Sequence, residues 1–146
     1  MSTLAMTPVN SFKKKSVSRV LEEPAAQSAK AIQHFAGKLG FETDCSDVYA
    51  AQVSETVDFV LLDVRSPQSF AKGHVPQAVN IPVLTINEQR LSEYPADTTF
   101  VVYCAGPHCN GANKAALRIA QLGSPVKEMI GGALGWLDEG FSLVTS

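Results

Sequence analysis

Thr99-Phe100-Val101-Val102-Tyr103-Cys104-Ala105-Gly106-Pro107-His108-Cys109-Asn110-Gly111 is the stretch that decides how this chain of 146 residues folds. Its first five residues are a short, mostly apolar run, the pattern of a strand buried on both faces of a parallel sheet. A loop with Gly and Pro follows. From Gly111 the apolar residues change period: Ala112, Ala115, Ala116, Ile119 and Leu122 fall on one helical face, and Gly123 and Pro125 end it. A strand delivering a cysteine into a short loop that opens a helix over 111–122 is therefore expected. In open parallel sheets, chemistry gathers outside the carboxyl ends of the strands.

Working outward, the same alternation repeats. Asp58-Phe59-Val60-Leu61-Leu62-Asp63 reads as a second buried strand, followed by a short helix over 67–72. Ala78-Val79-Asn80-Ile81 reads as a strand stopped by Pro82, and residues 87–92 as weakly helical. Val126 to Ile130 forms a last strand, with a closing helix over 132–139. Upstream, Phe41-Glu42-Thr43 suits a short strand, and Asp44 or Ser46 caps a helix running to about Gln52. Cys45 at that cap reads as a small structural residue. Strands alternating with helices give an α/β domain with a parallel sheet.

Before this lies a helix expected over 24–39. Pro24 suits a first turn, Ala25, Ala29, Ile32, Ala36 and Leu39 recur at helical spacing, and Gly40 offers a left-handed stop. This N-terminal helix is expected to dock on the α/β region after it. Residues 1–21 carry Lys13, Lys14, Lys15 and Arg19 without an acid, while the rest holds eight bases and fourteen acids. A Ser-rich, acid-free opening suggests a transit segment, but a single arginine and Pro8 argue for a solvated or partner-facing basic arm over residues 1–23. The chain thus divides into the flexible arm 1–23 and one domain over 24–146.

Composition narrows the function classes. With 45% hydrophobic and 18% charged residues the chain is globular, and neither collagen-like nor low-complexity. No apolar run approaches the roughly 20 residues that cross a bilayer, so no membrane partner is expected. A net charge of −2 argues against a general nucleic-acid binder. The opening residues lack the apolar core of a secretory signal. Three cysteines, Cys45, Cys104 and Cys109, make no disulfide framework, so a reducing, cytoplasmic setting is expected.

The site reading centres on Cys104. A Gly- and Pro-containing loop feeding a helix N-terminus can turn several backbone N–H groups into one concavity, which suits an anion. A thiol at its rim is expected to favour the thiolate, making Cys104 the candidate nucleophile. Ala105, Gly106, Pro107, His108, Cys109 and Asn110 form the cradle. His108 either positions a substrate or is an ordinary exposed loop residue. Lys114, in the first helical turn, either reaches back over the loop or is solvated. Cys109 is either a second thiol that resolves a persulfide or sulfenate on Cys104, or it packs inward beneath the loop. Asp63 and Arg65 are expected to tie a strand end to neighbouring loops, with Arg65 bordering the site as a tuner. His74 is read as a turn residue and Trp136 as core. A metal held by Cys104, His108 and Cys109 would lack a fourth ligand, so no metal is expected.

Four segments resemble the rhodanese family of sulfurtransferase-like domains: Leu61-Leu62-Asp63-Val64-Arg65-Ser66-Pro67, Gly73-His74-Val75-Pro76-Gln77-Ala78-Val79-Asn80-Ile81-Pro82, Val101-Val102-Tyr103-Cys104, and Gly131-Gly132-Ala133-Leu134-Gly135-Trp136 with Gly140. The resemblance spans about residues 41–143. It implies a three-layer α/β domain with a five-stranded parallel sheet flanked by helices, here with an N-terminal helical extension. It also implies that Cys104 accepts a sulfane sulfur from a donor such as thiosulfate and passes it, as a persulfide, to cyanide or a thiol. The cysteine carries the transferable group, so no cofactor is implied. Mercaptopyruvate, glutathione persulfide or a sulfur-relay protein would serve equally as partners.

One departure stands out. The family's common loop places arginine five residues after the cysteine, whereas here that position is Cys109, and the first arginine after Cys104 is Arg118. Without an arginine fork, the phosphatase and arsenate-reductase chemistry of the related branch is not expected. The same absence keeps a second reading open: a non-enzymatic module that binds a partner or senses oxidants, with the basic arm and the 24–39 helix as docking elements.

Overall fold

The computed structural model describes residues 16–146. The lysine run of the basic arm lies outside the described residues. Contacts divide the chain into two units, Met1–Phe35 and Ala36–Ser146.

In the first unit, Ser18 caps a single 3-10 turn over Arg19–Leu21. Helix α1, Ser28–Phe41, begins there and runs into the second unit. It starts four residues later than its sequence suggests, because the first hydrogen bond of its opening turn is Ala31 N–H to the Gln27 carbonyl. It also runs through Gly40, since a strand begins directly at Glu42 and Lys127 Nζ donates to the Leu39 carbonyl near the helix end. None of its residues is buried, and Ile32, Phe35 and Leu39 are exposed.

The second unit carries the sheet: β1 Glu42–Asp44, β2 Val60–Asp63, β3 Val79–Asn80, β4 Phe100–Tyr103 and β5 Val126–Ile130. All four pairings are parallel, in the order β1-β5-β4-β2-β3, so β4 is the central strand. The helices are α2 Cys45–Val53, α3 Pro67–Lys72, α4 Glu88–Leu91, α5 Gly111–Gln121 and α6 Gly132–Asp138. Asp44 caps α2 by accepting from Asp47 N–H, and Ser66 with Pro67 starts α3.

Strand alternation splits the core into two layers. Leu62, Phe100, Val102 and Cys104 pack on one side with Ala112, Ala115 and Ile119 of α5. Leu61, Val101, Tyr103 and Met129 pack on the other with Cys45 and Val48 of α2 and Ala133 and Trp136 of α6. The five-stranded parallel sheet between helical layers is the α/β architecture expected. Among the described residues, no helix is long and apolar enough to cross a membrane.

Candidate active site

Register brings three strand ends to one edge. Asp63 of β2 lies opposite Tyr103 of β4, and β5 ends at Ile130, just before Gly131 and Gly132. Cys104, the first residue beyond β4, is 8% exposed.

The loop after Cys104 is held from behind by the start of α6. Ala133 N–H donates to the Cys104 carbonyl at 3.0 Å, and Leu134 N–H to that of Ala105 at 2.9 Å. This close approach requires glycine at position 132, which sits at φ +63, and where a Cβ would overlap the Cys104 carbonyl oxygen and crowd the Gly106 nitrogen. Two loop carbonyls are thereby engaged. Among the described residues, the N–H groups of Ala105, Gly106, His108 and Asn110 have no backbone acceptor. The cradle is smaller than residues 105–110 suggest. Pro107 has no N–H, and that of Cys109 is spent on the Gly106 carbonyl at 3.0 Å, closing a turn.

That turn carries Cys109 back onto Cys104. Their sulfurs stand 2.7 Å apart, and both are free thiols. Gly111 leaves room for the pair, since a Cβ there would lie 2.8 Å from Cys104 Sγ. Its N–H donates to Cys109 Sγ at 3.4 Å. The expected thiolate at Cys104 is corrected by this arrangement. Burial pushes the Cys104 thiol up to about 11, and its hydrogen bond with Cys109 adds to the rise. Cys109 moves down, because of the same hydrogen bond, the Gly111 N–H and the charge of Lys114. Of the two thiols, Cys109 is therefore the more readily deprotonated. Lys114 is exposed in the first turn of α5, yet it acts electrostatically on this pair. His108 is exposed, its ring lying against the space beside Gly106.

Arg65 ties the end of β2 to a neighbouring loop, as its spacing from Asp63 suggested. Its Nε and terminal nitrogen grip the Asp63 carboxylate at 3.0 and 2.6 Å, and the same terminal nitrogen donates to the Gly73 carbonyl at 2.6 Å. Two partners were missed. Tyr103 donates its hydroxyl to Asp63 Oδ2 at 2.6 Å and accepts from Val75 N–H at 3.0 Å. Asn80 donates to the carbonyls of Asp63 and Arg65. The signal for Tyr103 was available, since a tyrosine in a fully buried strand needs a partner for its hydroxyl. Burial and the Asp63 charge push that hydroxyl far up, so it stays a donor. His74 proves to be the turn residue expected, stacked on Phe70 and bridged to Val144. Cys45 is buried, its thiol near the carbonyls of Ile130 and Gly132, and Trp136 lies in the core. Among the described residues, no group of three or more His, Cys, Asp or Glu is placed to hold a metal ion.

The arrangement can bind a small anion against backbone N–H groups and present two thiols to it. A family profile described as "Rhodanese-like domain" matches residues 44–139. A sulfurtransferase of Allochromatium vinosum is 31% identical over 102 residues, covering 68% of this chain and 91% of that protein. An HTH-type transcriptional regulator of Mycobacterium tuberculosis is 35% identical over 82 residues, 56% of this chain, which spans only 36% of the regulator. A crystal structure of a Bacillus halodurans protein superposes with a TM-score of 0.79 at 35% identity, covering 82% of this chain and 87% of that one.

Proposed function

The chain belongs to the rhodanese-like domain family, and we propose that it is a sulfurtransferase that carries a sulfane sulfur as a persulfide on Cys104. The observation that supports this most directly is the placement of Cys104 at the end of the central strand, beneath loop N–H groups with no backbone acceptor. With thiosulfate as donor, the Cys104 proton passes to Cys109 and the thiolate attacks the sulfane sulfur. The donor's S–S bond breaks and sulfite leaves with the electron pair, a covalent step that divides one transfer into two. The terminal sulfur of the persulfide then lies where the loop N–H groups can stabilise its charge. Attack on that sulfur by cyanide or a thiol regenerates Cys104. A relay protein offering a thiolate would use the same step.

One observation favours the second reading, a binding or redox-sensing module: Cys104 is nearly buried and its thiol is held up to about 11. Intact mass decides between them. Wild-type protein treated with thiosulfate should gain the mass of one sulfur or release it as sulfide. Cys104→Ser should do neither, and cyanide should remove any bound sulfur as thiocyanate. If neither thiosulfate nor glutathione persulfide leaves sulfur on the protein or sulfide in solution, the module reading replaces the enzyme.

A further inference from the structure

The persulfide cycle uses Cys109 only to accept a proton, yet the loop is built around bringing its sulfur to Cys104. The 2.7 Å between the two sulfurs is inside the contact distance of unbonded sulfur atoms and beyond the roughly 2.05 Å of a disulfide bond. Three separate features produce it. The Cys109 N–H to Gly106 carbonyl bond folds the loop back at 3.0 Å. Glycine at 111 clears space that a side chain would take from both sulfurs. The Gly111 N–H then holds Cys109 Sγ in place. Cys109 is also the more accessible of the two, half-buried where Cys104 is buried.

We propose that Cys109 is the resolving thiol of a sulfane-sulfur reductase, and that this loop releases sulfide whenever no external acceptor takes the persulfide. This rests on the persulfide reading of Cys104. In the step, Cys109, carrying the proton it took from Cys104, attacks Cys104 Sγ and passes that proton to the departing outer sulfur. A Cys104–Cys109 disulfide forms, the persulfide S–S bond breaks, and its outer sulfur departs as hydrosulfide with the electron pair. The two cysteines supply the two electrons that reduce the sulfane sulfur, so no added oxidant is needed. A dithiol reductant then returns both cysteines to thiols by exchange. The geometry favours this step, because Cys109 Sγ already stands 2.7 Å from the sulfur it attacks. Hydrosulfide is also a weaker base than the Cys104 thiolate, and the less basic sulfur leaves faster.

The test is a single turnover of reduced full-length protein with thiosulfate, anaerobically and without cyanide or added thiol. Sulfite, sulfide and intact mass after alkylation are followed together. Wild type should release sulfite and then sulfide, ending as an unalkylated loop disulfide, at a rate independent of protein concentration. Cys109→Ser and Cys109→Ala, which also lose the proton acceptor of the first step, should load sulfur and release sulfite more slowly, but once loaded with thiosulfate or glutathione persulfide they should keep the added sulfur. Their sulfide release should fall roughly a hundredfold or more at micromolar protein, because an intramolecular thiol acts at millimolar effective concentration or above. If wild type keeps its persulfide and yields no sulfide, the resolving role is overturned while the persulfide reading stands. If the wild type forms no sulfite and gains no sulfur from thiosulfate or glutathione persulfide, both fall. The concentration dependence in wild type alone decides the matter should the variants misfold, since release that scales with protein concentration overturns the intramolecular step.

Discussion

Tyr103 and Cys104 are neighbours in sequence that serve opposite faces of the sheet. The strand period sends Cys104 into the layer under α5 and Tyr103 into the layer with Trp136. Tyr103 there closes the buried Asp63–Arg65 pair, with its hydroxyl 2.6 Å from Asp63 Oδ2. Replacing it by phenylalanine removes a hydrogen bond to a buried charge and leaves Val75 N–H without its acceptor. Tyr103→Phe should therefore cost about 2–3 kcal/mol of stability, read as a lower denaturation midpoint with an unchanged m-value. Sulfur loading of Cys104 should persist in the folded variant, since the lost hydroxyl lies on the other face. A larger effect on loading than on stability would mean that the Asp63 cluster acts on the loop. Asp63 and Arg65 were legible as a pair from their spacing. That Tyr103 needs a partner was legible from its buried strand, but which one was not, because nothing local says which buried oxygen a hydroxyl forty residues away will meet.

At the scale of elements, the β1 edge of the sheet brings two carboxylates together, one of them, Glu42, also paired with Lys38 at 3.9 Å. Glu42 of β1 stands in register with Glu128 of β5. Burial and the Glu42 charge raise the Glu128 carboxyl above its usual range. Its native form therefore holds a proton more tightly than the unfolded chain does. Stability from this group is present at low pH and lost as pH rises through the raised native value. Glu128→Gln should gain about 0.2–1 kcal/mol at neutral pH, and that gain should vanish below about pH 4. Urea denaturation across that pH range checks it, and a gain that persists in acid would point to a cause other than charge. Most element boundaries fall within two residues of where period and caps put them, and 67–72 and 126–130 agree fully. The helix expected over 24–39 is the exception. Pro24 and Gly40 are strong local punctuation, but the chain's entry into β1 at Glu42 outweighed the stop signal.

Over the whole molecule, the proposed anion site needs three strand ends, the loop and the start of α6 to be assembled, so an anion bound there would stabilise the native state. In Cys104→Ser, where no persulfide forms, thiosulfate at about ten times its Kd should add about 1.4 kcal/mol. For a domain of this size that raises Tm by about 3–6 °C. Sulfate at equal ionic strength serves as the control for general salting effects, and equal shifts with both salts would remove the case for a specific site. The amino-acid sequence by itself determined the βα order, the parallel sheet and the arrival of Cys104 at its edge. Periodicity, glycine, proline and caps act over a few residues, and each can be read where it stands. Tertiary structure alone decided that Cys109 and not Cys104 is the more readily deprotonated thiol, that Tyr103 completes the Asp63 cluster, and that glycine is required at 132. Each of these depends on burial or on contacts between distant segments, quantities that come into being only when the chain has closed on itself.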